Sequence, residues 1–531
     1  MKKGKQVLSF CLALLFAFFL TACTNDSSAS SSTGDSTGEG SGTSVIGGTS
    51  GIGTSTSSST GENPNENPNE NPNESAPSGG DSSTSTTTTK INENSNSGSS
   101  QNQTTAEAKK NLNFNGQTVT IAYTYTPEAK GESAAADRWY RRIEEVEKKF
   151  NVKIETKLGS SKYGDVIVSS ILSGKPMGHV MMSGNNINWL TAGIMCDLTE
   201  ASKQTGIDFT SDIYNQNIRK YFTLNGKTYI FGYSQGAVID IWLYNKKIFK
   251  QMSLPDPHTL YKNGQWTWDK VTEIAKKATK RDNAGTVTQW GLAMSLMGNV
   301  MTSLMAENGG FVAAVNKKGE PIITMGDTAC KEAMEQLQKW AIQDKVLLQN
   351  AGTSYDWANK EFTKGYIAML ATTSIVYLED MNDDWGMIYP PCGPSNKNGN
   401  KSLVDLGESF FIPITYQKDA GKYLLLMDEL NQPYADADEE KLFKEKYMGR
   451  FRDSNSYNVW KTMNLDNSKK IHDPYIEMGV MWDANSVSLA SLGEQIGLGT
   501  LSPGVLVETY VPLMQNGLTE RYKGYTFTLF K

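Results

Sequence analysis

From residue 117 onward, two rhythms of apolar and polar positions alternate along the chain. Gln117-Thr-Val-Thr-Ile-Ala-Tyr123 is rich in β-branched residues and predicts a strand. Trp139, Ile143, Val146 and Phe150 follow at spacings of four, three and four, one face of a helix from about Ser133 to Phe150. Val152-Lys-Ile-Glu-Thr156 alternates apolar with polar and predicts a second strand. Ile167, Ile171 and Leu172 mark a second helix, stopped by Gly174 and Pro176, and His179-Val-Met-Met182 predicts a third strand. Strand, helix, strand, helix, strand is the pattern of a parallel sheet covered by helices, an α/β class. Such sheets bind ligands in the crevice beyond their strand ends.

The same reading continues downstream. Asn225-Gly226 predicts a two-residue hairpin turn, and the apolar run Ala237 to Tyr244 leads into Asn245-Lys-Lys-Ile-Phe249. Thr267 caps a helix whose inward face is Trp268, Val271, Ala275 and Ala278. Asp327 caps another, with Met334, Leu337 and Ala341 inward. Phe362-Thr-Lys-Gly365 ends a helix, and Tyr366-Ile-Ala-Met-Leu370 restarts a strand.

The first 110 residues obey neither rhythm. Lys2, Lys3 and Lys5 precede an apolar run from about Val7 to Leu20, the arrangement of a secretory signal and too short for a membrane span of roughly 20 residues. The run ends in Leu20-Thr21-Ala22-Cys23, which resembles the bacterial lipoprotein lipobox. That resemblance implies cleavage after residue 22 and a lipid-modified Cys23. Residues 24–110 contain no aromatic residue and are filled with Ser, Thr, Gly, Asn and Glu, including a Glu-Asn-Pro-Asn period that starts at Glu62. Such a segment buries too little apolar surface to offset its ordering entropy, and its prolines forbid helix. Residues 23–110 are expected to be a disordered, lipid-anchored tether with a reach of ~50 Å.

Composition sharpens what remains. Of 52 aromatic residues, four lie in the first 23 and 48 in residues 111–531, which makes that part aromatic-rich and identifies it as the folded region. The formal net charge of −6 gives no reason to expect a nucleic-acid partner. Beyond Cys23 lie only Cys196, Cys330 and Cys392, an odd count without a CxxC pair, so at most one disulfide forms and no zinc site is expected.

A family resemblance rests on a succession of short motifs. Asn225-Gly226-Lys227-Thr228-Tyr229, Leu243-Tyr244-Asn245-Lys246 with Phe249, Trp266-Thr267-Trp268-Asp269, and Phe362-Thr-Lys-Gly365 with Ala368-Met369, behind a lipobox, resemble the family 1 extracellular solute-binding proteins of ABC importers. The resemblance implies a two-lobed, hinge-connected α/β fold of the class II periplasmic-binding type. It assigns 116–239 with 394–455 to lobe one and 240–393 with 456–531 to lobe two, the chain crossing first near Val238 to Ile241 and again near Ile388 to Gly393. It also implies a monomer on the outer face of the cytoplasmic membrane of a Gram-positive bacterium, capturing a carbohydrate, an oligosaccharide, for a membrane permease, without cofactor or metal.

Enzymatic readings are weaker. Gly232-Tyr233-Ser234-Gln235-Gly236 fits G-x-S-x-G, the basis of an alternative reading as a surface hydrolase. That elbow needs a helix after the serine, whereas the residues that follow are β-branched and aromatic, and only His258 or His472 could serve as base downstream. Asp436, Asp438 and Glu440 are spaced like a calcium loop, but Lys441 stands where glycine is needed. Glu379, Asp380, Asp383 and Asp384 read as a solvated acidic loop.

A sugar cleft needs flat aromatics for stacking and amide, carboxyl or hydroxyl groups for paired hydrogen bonds. Loops after strand ends supply Tyr123 and Tyr125, then Ser183, Asn185 and Asn186, with Gln235 at the first crossing. By order along the chain, the resemblance places a pocket residue at Asn299 and a stacking tryptophan at Ser374 and Ile375, a departure that removes one stacking platform. It places Glu408, Ser409 and Phe410 on a cleft-facing strand edge. Trp482 and Asp483 complete the candidates.

Overall fold

A computed structural model describes residues 104–159, 165–183, 187–234, 236–295, 297–349, 356–375, 377–434, 439–473 and 488–530. The signal sequence, Cys23 and the Glu-Asn-Pro-Asn repeats lie outside them. Among the described residues no helix is long and apolar enough to cross a membrane.

Twelve strands carry the architecture: β1 (Thr118–Tyr123), β2 (Lys153–Leu158), β3 (Val180–Met182), β4 (Phe231–Gly232), β5 (Ile241–Asn245), β6 (Val287–Met294), β7 (Leu347–Leu348), β8 (Ile367–Thr372), β9 (Trp385–Ile388), β10 (Ser402–Val404), β11 (Ser409–Phe411) and β12 (Lys470–His472). The first sheet has the order β2-β1-β3-β11-β4. Its three N-terminal strands run parallel, as the strand and helix alternation requires, and β11 is antiparallel to both neighbours. The second sheet has the order β7-β6-β8-β5-β9, with β6, β7 and β8 parallel and β5 antiparallel to β8 and β9. The chain has the two-lobed α/β fold, one lobe on each sheet.

Local chemistry accounts for the covering helices. Ser133 caps Ala134–Phe150 by accepting from the Ala136 N–H, and Asn151 ends it in the left-handed region. Ile143, Val146 and Phe150 are buried as the spacing predicts, while Trp139 is half-buried at the edge. The Thr267 hydroxyl caps Trp268–Ala278, and Trp268, Val271, Ala275 and Ala278 are all buried. Leu172 departs from expectation: it is 65% exposed at the end of its helix, whose packing is done by Ile167 and Ile171.

The last residues that composition assigns to the tether are folded. Residues Thr105–Lys110 form a helix because Thr104 and Glu107 make a reciprocal capping box and Ala108 is buried. Lys109 anchors it through Asp428 and Glu429, at 2.7 and 2.8 Å. The attachment partner is some 320 positions away in sequence, so the local composition carries no sign of it.

Much of the aromatic enrichment is core. Trp242 packs edge-to-face on Trp266 and Trp340, and Trp268 on Trp340, with centroids 6.2–6.5 Å apart. Their indole N–H groups are satisfied: Trp242 and Trp268 donate to the two oxygens of Glu307, Trp340 to Thr272 Oγ1, and Trp266 to the Tyr389 carbonyl. Cys196, Cys330 and Cys392 are free thiols.

Candidate functional site

In parallel sheets the carboxyl ends of the strands deliver loops to one edge. In the first lobe, β1 ends at Tyr123 and continues into Thr124 and Tyr125, and β3 ends at Met182 before Ser183. The antiparallel β11 begins at that same edge, so Glu408 and Ser409 join the group. The Ser183 N–H donates to the Ser409 carbonyl at 2.7 Å, and the two hydroxyls hydrogen-bond each other. Tyr125 Oη donates to Glu408 Oε1, while the Glu408 N–H donates to Ser234 Oγ at 2.6 Å. Burial holds the Glu408 carboxyl above its ordinary range, partly offset by the Tyr125 bond. This edge therefore gathers hydroxyls and one carboxyl group, with Ser183 and Ser409 buried and Tyr125 and Glu408 half-buried.

A ribbon of two crossing passages, flanked by β12, joins the lobes. Ile239 N–H donates to Leu403 O, Asp405 N–H to Ala237 O, and Val238 bridges Val404. Strand β10 pairs in parallel with β12. Asp405 Oδ1 pins the corner by accepting from the Ala237 and Gly407 N–H groups at 2.7 and 2.9 Å. The passages are so close that a Cβ on Gly236, at φ +80°, would lie 2.0 Å from Asp405 O. A Cβ on Gly407, at φ +78°, would lie 2.5 Å from Ser234 Oγ. Burial lowers the His472 pKa to about 4, so the imidazole is neutral within the ribbon.

In the second lobe the parallel strands β6 and β8 end at Met294 and Thr372 and run on into Ser295 and Thr373-Ser374. The Ser295 N–H donates to Ala371 O at 3.0 Å, and its buried hydroxyl has no hydrogen-bond partner among the described residues. The helix Trp357–Thr363 clamps the loop after β8: Asn359 Nδ2 donates to Ser374 O at 2.8 Å, and Asn359 Oδ1 accepts from Thr372 Oγ1 at 2.7 Å. Beyond Ser374 the backbone turns through Tyr377 at φ 70°, a left-handed conformation that costs a tyrosine about 1–2 kcal/mol.

The sequence profile of the bacterial extracellular solute-binding proteins matches residues 103–426, well over half of the chain. The chain belongs to that family. Among solved structures, UspC of Mycobacterium tuberculosis is similar with a TM-score of 0.52 at 15% identity, covering 76% of this chain and 100% of that one. The ABC substrate-binding protein of Listeria monocytogenes in complex with cycloalternan is similar with a TM-score of 0.47 at 16% identity, covering 77% and 98%. A maltose/maltodextrin-binding domain from Bdellovibrio bacteriovorus bound to maltotriose has a TM-score of 0.45 at 16% identity, covering 76% and 99%. Comparison with curated protein sequences finds no relative.

For a solute-binding protein of this fold, the strand-end edges are the place to look. The first edge brings together Tyr125, Ser183, Glu408 and Ser409. Tyr123 and Phe410 lie beneath it in the core, edge-to-face at 5.8 Å, and support it. Ser374 lies on the second edge, 7% exposed, and Ile375 packs into the core. Asn299 lies on the helix Met297–Glu307, its side chain outside the described atoms. Asn185, Asn186, Gln235, Trp482 and Asp483 fall outside the described residues.

Sequence reasoning missed Thr124, Ser234 as a partner of Glu408, Ser295, Asn359 and Tyr377. Each is a common residue type whose role depends on a neighbour across a lobe or a strand, and no local motif marks it. The G-x-S-x-G pattern resolves differently. Ser234 Oγ accepts a backbone N–H, and residues 236–245 enter the ribbon and β5 rather than a helix. Both flanking glycines answer to close approach: a Cβ on Gly232 would meet Ile218 Cδ1 at 2.2 Å and Glu408 O at 2.4 Å.

Proposed function

We propose that this chain is the lipid-anchored capture component of an ABC import system, binding a carbohydrate, an oligosaccharide, between its two lobes and delivering it to membrane permease subunits. The observation that carries the reading is the pair of strand-end edges, Tyr125, Ser183, Glu408 and Ser409 in one lobe and Ser295, Thr373 and Ser374 in the other. They are tied by a short ribbon and lined by hydroxyls and a carboxyl group. Vicinal hydroxyls of a pyranose both donate and accept, which matches such a lining.

Asn185, Asn186, Gln235, Asn299, Trp482 and Asp483 belong to this reading on sequence grounds, as do Cys23 lipidation and the tether. So do the lobe assignments of 116–239 with 394–455 and 240–393 with 456–531. Closure shifts a two-state equilibrium toward the form that docks on the permease, and no bond is made or broken.

A thermal-shift screen of the mature protein against neutral di- and trisaccharides tests this. At least one glycan is expected to raise Tm in a saturable way, by about 2.7 kcal/mol of stabilisation at a hundredfold excess over Kd. A panel without any saturable shift overturns the carbohydrate reading.

A further inference from the structure

Residues 524–530 bond to both lobes at a place apart from the ribbon. On the first-lobe side they meet the hairpin of residues 223–228. The Thr228 N–H donates to Thr199 Oγ1 at 3.1 Å and the Thr228 carbonyl accepts from the Leu198 N–H at 2.8 Å. That stretch is itself tied to the first sheet, because the Cys196 N–H donates to Ile412 O just beyond β11 at 2.8 Å. Across the hairpin, the Asn225 N–H donates to Thr526 O at 2.8 Å, the Thr528 N–H to Thr223 O at 3.0 Å, and the Gly226 N–H to Thr528 Oγ1 at 3.0 Å.

On the second-lobe side, the Phe527 N–H donates to Gly319 O at 2.8 Å. Gly319 lies in the turn between the strands Ala313–Val315 and Pro321–Ile323, at φ +81°, and a Cβ there would lie 2.5 Å from Phe527 O. Phe527 is buried and packs on Tyr221 and Tyr522, with centroids 6.5 and 4.9 Å apart. Successive residues of one short segment thus hold opposite lobes, Thr526 and Thr528 the first and Phe527 the second. None of these residues belongs to the two crossing passages or to β12. Two rigid bodies tied at one place can both rotate and twist, whereas two bodies tied at two separate places retain rotation about the line that joins the ties.

We propose that this clasp is a second pivot, which together with the ribbon restricts the lobes to one axis of rotation and keeps twist off the ribbon's hydrogen bonds. The pivot presupposes two lobes that move, as proposed above, and is independent of the solute they hold.

The test is hydrogen–deuterium exchange of the full-length protein without added glycan, read by mass spectrometry. It compares wild type with the double variant Asn225→Ala/Thr528→Val, which loosens the first-lobe side, and with Gly319→Ala, which pushes the turn off Phe527 on the other side. Both variants are expected to speed exchange of the Ala237, Ile239 and Asp405 amides in the ribbon roughly tenfold, while β1 and β8 exchange as in wild type. Neither variant touches the ribbon, so that acceleration would report the twist the clasp had suppressed. Ribbon exchange within about twofold of wild type in either variant overturns the proposal. So does equal acceleration in β1, β8 and the ribbon, because the clasp would then add only global stability. With no glycan in the experiment, neither outcome bears on the carbohydrate reading.

Discussion

Asp240 and Glu307 are carboxyl groups placed where water does not reach, 3% and 2% exposed. Glu307 accepts the indole N–H groups of Trp242 and Trp268 at 2.8 and 2.7 Å, whereas Asp240 Oδ2 has no hydrogen-bond partner among the described residues. Burial pushes Asp240 from 3.8 up to about 8 and raises Glu307 well above its ordinary value, with Asp240 adding to that rise. Between those limits the folded state holds a proton that the unfolded chain has released. The contribution is fully present below pH ~4 and is lost as pH rises toward about 8. Asp240→Asn removes the titration. It is expected to flatten the curve of Tm against pH between 4 and 8 and to stabilise the protein at pH 8 by about 1–3 kcal/mol. Parallel curves for wild type and variant would show that Asp240 titrates normally. Neither the tryptophan partners of Glu307 nor the dry setting of Asp240 shows in the sequence, where both are ordinary acids.

At the scale of elements, local signals read well when the chemistry was local. Asn225-Gly226 forms the expected hairpin, with φ of 52° and 75°, because both residues tolerate the left-handed region. What the hairpin holds was invisible in sequence. Asn225 Nδ2 donates to Gly524 O, and Asn225 Oδ1 accepts from the N–H and Oγ1 of Thr526, all at 2.8–2.9 Å. Phe527 N–H in turn donates to Gly319 O at 2.8 Å. The end of the chain thus straps a first-lobe hairpin to second-lobe residues. Asn225→Ala removes three side-chain bonds at an exposed site and is expected to cost about 1–2 kcal/mol in urea unfolding. A change below 0.5 kcal/mol would show that the strap adds little.

At the scale of the molecule, the ribbon of 237–239, 402–405 and 470–472 is the short, hydrogen-bonded link about which the lobes move in the proposed mechanism. Hinges of this kind absorb a large change in a few backbone angles while each lobe stays rigid. The expected outcome is a smaller radius of gyration in solution scattering when a stabilising glycan saturates the protein. Stabilisation without compaction would count against closure.

The sequence by itself determined what depends on near neighbours. The α/β class, the helix caps at Ser133 and Thr267, the inward faces, the Asn225-Gly226 turn and the family all lie in residue spacing, which local backbone sterics and burial translate directly. It also separated an aromatic-free stretch from an aromatic-rich folded part. Tertiary structure alone decided which of those aromatics are core, that Thr105–Lys110 folds onto Asp428 and Glu429, and that Ser234 serves Glu408. It alone set Tyr377 at a strand-end edge. Each of these turns on contacts between residues far apart in sequence, and their energy comes from desolvation and packing that exist only after the chain has closed on itself.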